Sequence, residues 1–127
     1  MIIHNASRDY SNLEIGDNVH ISRQVLFDLS TRLVVEDEAG IGMGSIILTH
    51  TDVGDRPLQD RYPRRVEETR IGRASWVGAG VTILCGCGVG AEAVAAAGAV
   101  VTKPVPDRTV VAGVPARIVR RHDASSG

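Results

Sequence analysis

The sequence predicts an all-β chain wound as a parallel β-helix, and three observations carry that expectation. Ile71, Val77, Ile83, Val89, Ala95 and Val101 stand six residues apart without a slip. The residues four further on, Ser75, Val81, Cys87, Ala93 and Ala99, are small enough for the narrow part of an interior. Gly72, Gly78, Gly90 and Ala96 follow four of the six ruler residues. A period of six matches neither the 3.6 of a helix nor the alternation of a lone strand. It matches a prism in which each hexapeptide is one of three faces, so that a coil takes about 18 residues and rises about 4.8 Å.

The elements follow in order. Residues 1–12 read as a lead-in. The first coils, 13–48, carry the ruler at Ile15, Ile21, Val35, Ile41 and Ile47, with Gly16-Asp17-Asn18 and Glu36-Asp37-Glu38 as corners. Between Phe27 and Val35 the spacing is eight, so two extra residues bulge near 28–32. The ruler then stops at Ile47 and resumes at Ile71, leaving one long excursion loop over 49–68. Its inner part, Val53 to Glu68, is rich in charge and proline, and Tyr62-Pro63 is expected to anchor it as a functional flap. The later coils occupy 69–103. Beyond Lys103 the ruler is expected to end: Pro104-Val105-Pro106 breaks the coil, and 104–121 forms a short C-terminal covering segment with an extended strand over 110–120. Residues 122–127 read as a frayed tail. The whole, 1–127, is one domain.

Composition agrees with this. Aromatic residues make up 3% of the chain, as a narrow prism requires. A net charge of −1 argues against a nucleic-acid binder, and Arg64-Arg65 and Arg120-Arg121 read as solvated surface. No apolar run is long enough for membrane insertion, and Met1-Ile2-Ile3-His4 does not open a secretory leader, so a cytoplasmic protein is expected. Cys85 and Cys87, two apart on one strand, should face opposite ways and form no disulfide. Cys87 falls on an inward position, and neither thiol is expected beside the histidine discussed next.

His50 stands where regular coil meets excursion, anchored by the prism yet reachable from outside, which suits a general base. Asp52 and Asp28 are candidates for a polar contact to its ring or to a substrate. His4, His20 and His122 have weaker positions.

Four blocks carry a family resemblance: Ile47-Leu48-Thr49-His50, Ala74-Ser75-Trp76-Val77-Gly78-Ala79-Gly80-Val81, Ala97-Gly98-Ala99-Val100-Val101-Thr102-Lys103, and Val111-Ala112-Gly113-Val114-Pro115-Ala116-Arg117. Through them the chain resembles the hexapeptide-repeat acetyltransferases, in particular the sugar and polysaccharide O-acetyltransferase branch. The resemblance implies a left-handed helix, a homotrimer and acetyl coenzyme A as cosubstrate, with no metal. It makes His50 the catalytic base and the Ala79 N–H the donor facing the thioester carbonyl. Ala97, Thr102, Lys103, Arg117 and Arg120 match positions lining the coenzyme A groove, where Lys and Arg meet phosphates. Trp76 is expected at the groove wall or a subunit interface. The family's acceptor-contacting Asn matches Ser22, and a nearby family Asp matches Ser30, or Asp28 if the bulge shifts. Both changes leave the acceptor open.

The expected reaction is direct O-acetylation of a hydroxyl on a sugar or surface-polysaccharide precursor. Three other readings fit less of the sequence: N-acetylation of an amino sugar, a zinc enzyme of the γ-carbonic anhydrase type, and a non-catalytic β-helix scaffold. The zinc type needs three histidines where the coils offer only His20 and His50.

Overall fold

A computed structural model describes residues 1–5 and 10–122 and builds the prism from three stacks of short strands. Face A holds β1 (Ile2–His4), β4 (Leu26–Asp28), β7 (Ile46–Ile47), β12 (Thr82–Ile83) and β14 (Val100–Val101). Face B holds β2 (Leu13–Ile15), β5 (Leu33–Val35) and β10 (Thr69–Ile71), extended by bridges from Ile71 to Val89 and from Val89 to Val105. Face C holds β3 (His20–Ile21), β6 (Gly40–Ile41), β11 (Trp76–Val77), β13 (Val94–Ala95), β15 (Thr109–Ala112) and β16 (Arg117–Arg121). Pairing within the faces is parallel except for β15 with β16.

The ruler residues form the interior columns. On face A, Ile3, Phe27, Ile47, Ile83 and Val101 pair in succession. On face C the column is Ile21, Ile41, Val77, Ala95 and Val111. All but the terminal Ile3 and Ile21 are buried, each aliphatic side chain contributing about 1.5–3 kcal/mol. Ser75, Val81, Cys87, Ala93 and Ala99 are buried as expected, and the Ser75 hydroxyl donates to Gly72 O at 2.6 Å. Ile15 remains 40% exposed because β2 is the outermost strand of face B.

Three expectations need correction. The lead-in contributes a strand of the prism, since β1 pairs with β4. The ruler does not end at Lys103. Its next corner is shortened, so Val105 follows Val101 by four residues and Val111 follows Val105 by six, and both are buried. The extended strand expected over 110–120 is two strands: β15 completes face C, and β16 folds back on it. Of the expected tail, only His122 lies within the described residues, and positions 6–9 of the lead-in also lie outside them.

The excursion leaves after β7 and starts as an antiparallel pair, β8 (His50–Thr51) with β9 (Arg65–Val66), His50 opposite Val66. A short 3₁₀ turn, Pro57–Asp60, lies at its far part. Tyr62 is not the anchor the sequence suggested: it is 56% exposed.

Glycine is required where coils touch. A Cβ on Gly78 would lie 2.7 Å from Ala97 N and 3.0 Å from Ala97 Cα, both backbone atoms of the coil above. Gly98, at φ +77, has nothing within 4 Å of the same added atom. Gly78→Ala is therefore expected to force the coils apart at a cost of about 1–3 kcal/mol, lowering Tm by roughly 5–10 °C at fixed protein concentration. Gly98→Asn, at a left-handed position that asparagine tolerates, should lower it by much less. Equal shifts in a thermal melt would refute the steric account.

Candidate active site

The site grows from the edge where face A turns into face B. The bulge after Phe27 folds inward there. Leu29 is buried, and Asp28, last residue of β4, is fully buried with it. The Asp28 carboxylate is then surrounded by donors. Asn5 Nδ2, Ser30 N and Ser30 Oγ donate to Oδ1 at 3.0, 3.2 and 2.9 Å. Thr49 N and His50 N donate to Oδ2 at 2.9 and 3.1 Å. His50 Nδ1 lies 2.5 Å from the same Oδ2. Burial alone pushes this carboxyl up, but the bonds from His50, Thr49, Asn5 and Ser30 outweigh it and hold Asp28 well below the usual carboxylate range.

This ionised partner fixes the imidazole. With a carboxylate at Nδ1, that nitrogen carries the proton and donates, which leaves the Nε2 lone pair as the ring's base. The His50 side chain is 23% exposed, enough to meet a ligand. Buried threonines fix its surroundings: Thr49 Oγ1 donates to Asp28 O at 2.8 Å, and Thr69 Oγ1 to Leu48 O at 2.7 Å.

Two clefts share His50. The first, of about 360 Å³, is lined by Leu48, Leu84, Cys85, Thr102 and Lys103 among others, and is mainly apolar with a cationic end. The second is polar, lined by Asn5, Ser30, Asp52 and Arg64. A histidine standing between an apolar and a polar cleft is placed to pass a proton between two bound molecules.

The sequence-derived candidates divide between two edges of the prism. His50, Asp28, Ser30, Asp52, Thr102 and Lys103 gather at the A–B edge. Asp52 does not touch the imidazole. It accepts from Gly54 N at 2.8 Å and pairs with Arg64 Nε at 3.5 Å, closing the start of the excursion. Ser22, Ala79 and Ala97 sit at the C–A edge, before face A begins, and Arg117 and Arg120 lie on β16 of face C. Within one chain these residues are a face away from His50, on the order of 15 Å. The Ala79 N–H makes no hydrogen bond among the described residues, although its neighbours Gly78 and Gly80 do. Trp76 lies on the outside of face C against Gly40, 45% exposed.

Cys85 corrects an expectation. It is expected outward, opposite Cys87 and away from His50, yet residues i and i+2 of an extended chain share a side: both thiols are 7% exposed and both line the apolar cleft with His50. A signal existed: Ile83 stacks on Ile47, so Cys85 stands over Thr49, beside His50. Asn5 was also missed, and no spacing argument reaches it. Burial pushes both the Cys85 and Cys87 thiols up, which disfavours the nucleophilic thiolate.

Fold and site together define a β-helix with a histidine–carboxylate pair set between two clefts on one edge. No family model matches the chain. Relatives of known name do. It is 37% identical to serine acetyltransferase 2 of Arabidopsis thaliana over 110 residues, 85% of this chain and 32% of that protein. It is 31% identical to galactoside O-acetyltransferase of Escherichia coli over 111 residues, 83% of this chain and 55% of that protein. The structure of a hexapeptide-repeat acetyltransferase of Vibrio cholerae complexed with acetyl coenzyme A superposes with a TM-score of 0.81 at 29% identity, over 89% of this chain and 62% of that one. The chain is thus a left-handed hexapeptide-repeat β-helix related to acetyltransferases in sequence and fold. It spans 32% and 55% of the length of those two curated relatives.

Proposed function

We propose that this chain is an acetyl coenzyme A-dependent O-acetyltransferase in which His50 is the general base. The observation that carries the reading is the place of His50, tied at Nδ1 to buried Asp28 and shared by an apolar and a polar cleft. The thioester lies in the first cleft and the acceptor hydroxyl in the second. His50 Nε2 takes the hydroxyl proton as the oxygen attacks the thioester carbonyl carbon. The tetrahedral intermediate collapses by breaking the carbon–sulfur bond, and the departing coenzyme A thiolate recovers the proton from His50. Transfer is direct.

The division of candidates between two edges supports assembly. Lys103 and Thr102 stand beside His50, whereas Ala79, Ala97, Arg117 and Arg120 stand a face away. A homotrimer that sets the A–B edge of one copy against the C–A edge of the next completes a coenzyme A groove. It also brings the unused Ala79 N–H to the oxyanion of the neighbour's site.

The preferred acceptor is a sugar hydroxyl, as in the galactoside enzyme. A second reading, a hydroxyl amino acid, is favoured by the 37% identity to a serine acetyltransferase. Calorimetric titration of acetyl coenzyme A tests the donor site first. Wild type is expected to bind in the micromolar range, and Lys103→Ala/Arg117→Ala about tenfold or more weakly. A folded oligomer with no detectable binding refutes the reading.

A further inference from the structure

We propose that the acceptor is an anionic glycan, whose charged neighbouring sugar is held in a subsite formed by Arg61 and Tyr62 of the excursion; this rests on the acetyltransferase reading above. Beyond the polar cleft at His50 lies another of about 370 Å³, lined by Thr51, Asp52, Arg61, Tyr62 and Pro63 among others. Asp52 lines both, so the two adjoin, and a ligand of more than one sugar can extend from His50 past Asp52 toward Tyr62. A volume of this order lies within the usual range for small-ligand sites.

Charge pairing selects the ligand. Arg64 is paired with Asp52 at 3.5 Å, and Arg65 with Glu67 at 2.5 Å. Asp52 is further bound by Gly54 N. Arg61, the remaining cation at the cleft, has no carboxylate partner among the described residues, and its backbone N–H already serves Leu58 O in the 3₁₀ turn. Its planar fork suits a carboxylate or a phosphate. Tyr62, adjacent in sequence and more than half exposed, offers a flat apolar body with a polar tip, to which a sugar ring can apply its C–H face. Proline at 63 limits the backbone freedom of the pair. A neutral monosaccharide would reach His50 without using either residue. A free amino acid would be shorter still.

The test compares acceptors and variants by coenzyme A release from acetyl coenzyme A. The probes are methyl β-galactoside, a glucuronosyl-galactose disaccharide, a phosphate-bearing galactose disaccharide and L-serine. The carboxylate and phosphate arms separate the two sources of charge. One or both anionic disaccharides are expected to exceed methyl β-galactoside in kcat/KM by about tenfold. Arg61→Ala should remove that advantage through KM, and Tyr62→Ala most of it, while Arg61→Lys restores part. The same disaccharides titrated into coenzyme A-loaded protein give binding without turnover. Preference for L-serine or for the neutral sugar overturns the subsite, as does absence of disaccharide binding to loaded protein. So does an Arg61→Ala variant that weakens acetyl coenzyme A itself, which would assign the cleft to the donor. Failure of wild type to bind acetyl coenzyme A, by contrast, sinks the underlying reading; the disaccharides are then titrated into the protein alone, and absence of binding there overturns the subsite as well.

Discussion

Replacing His50 with alanine is expected to lower kcat by about 10²–10⁴-fold while acetyl coenzyme A binding stays within about twofold of wild type. On the proposed mechanism the two effects separate, because the imidazole would act through Nε2 on the acceptor, whereas donor affinity would come from Lys103, in the apolar cleft, and from Arg117 and Arg120. The variant should fold. Asp28 keeps its bonds from Asn5, Ser30 and the backbone of Thr49 and His50, so no buried charge is left bare. Cys85→Ser is the companion measurement, since Cys85 is one of the two thiols, with Cys87, that line that cleft. It is expected to retain activity within several-fold, because burial holds the thiol protonated and direct transfer does not use it. A pre-steady-state burst of coenzyme A release that vanishes in Cys85→Ser would instead establish an acyl-enzyme. A His50→Ala variant within tenfold of wild type would remove the base role.

Much of the fold was legible because the ruler reports side chains that alternate between inside and outside at a fixed pitch. Ile41, Val77 and Ala95 stack as their spacing requires. What spacing hid were changes of coil length. The corner between Val101 and Val105 is short and flanked by Pro104 and Pro106, which read as a break, yet Val105 N still donates to Gly88 O at 2.9 Å. Prolines beside a corner leave the intervening N–H free to hold the stack. The site was half legible for the same reason. Lys103, 18 residues after Cys85, and Cys85, 36 after Thr49, fall in one column once the excursion is counted as inserted in a coil. Asn5 reaches Asp28 from just past β1, a strand that carries too few residues to show a period. The candidate donor residues were legible only as a set of positions. That they divide between two edges follows from winding, which a linear list does not display.

Asp28→Asn is the change expected to injure both stability and turnover. The two oxygens face different sets of donors: Asn5 and Ser30 at Oδ1, Thr49 N, His50 N and the imidazole at Oδ2. An amide has one acceptor oxygen, so either placement of its NH₂ meets donors and leaves them unpaired in a buried site. Each buried donor so stranded costs about 1–3 kcal/mol, and an overall loss of roughly 2–4 kcal/mol at neutral pH is expected from urea unfolding. The pH dependence identifies the carboxylate as the cause. Because the folded carboxyl titrates below its unfolded value, its contribution is fully present above about pH 4 and is lost as pH falls toward the folded value. The gap between wild type and variant should therefore be constant from pH 5 to 7 and narrow below about 4. For turnover, loss of the anion at Nδ1 frees the ring to rotate and to place its proton on Nε2, where it is useless as a base. kcat should fall by at least about tenfold, up to the ceiling set by His50→Ala, with acetyl coenzyme A affinity little changed. A variant that loses stability but keeps the wild-type kcat would reduce Asp28 to a structural residue.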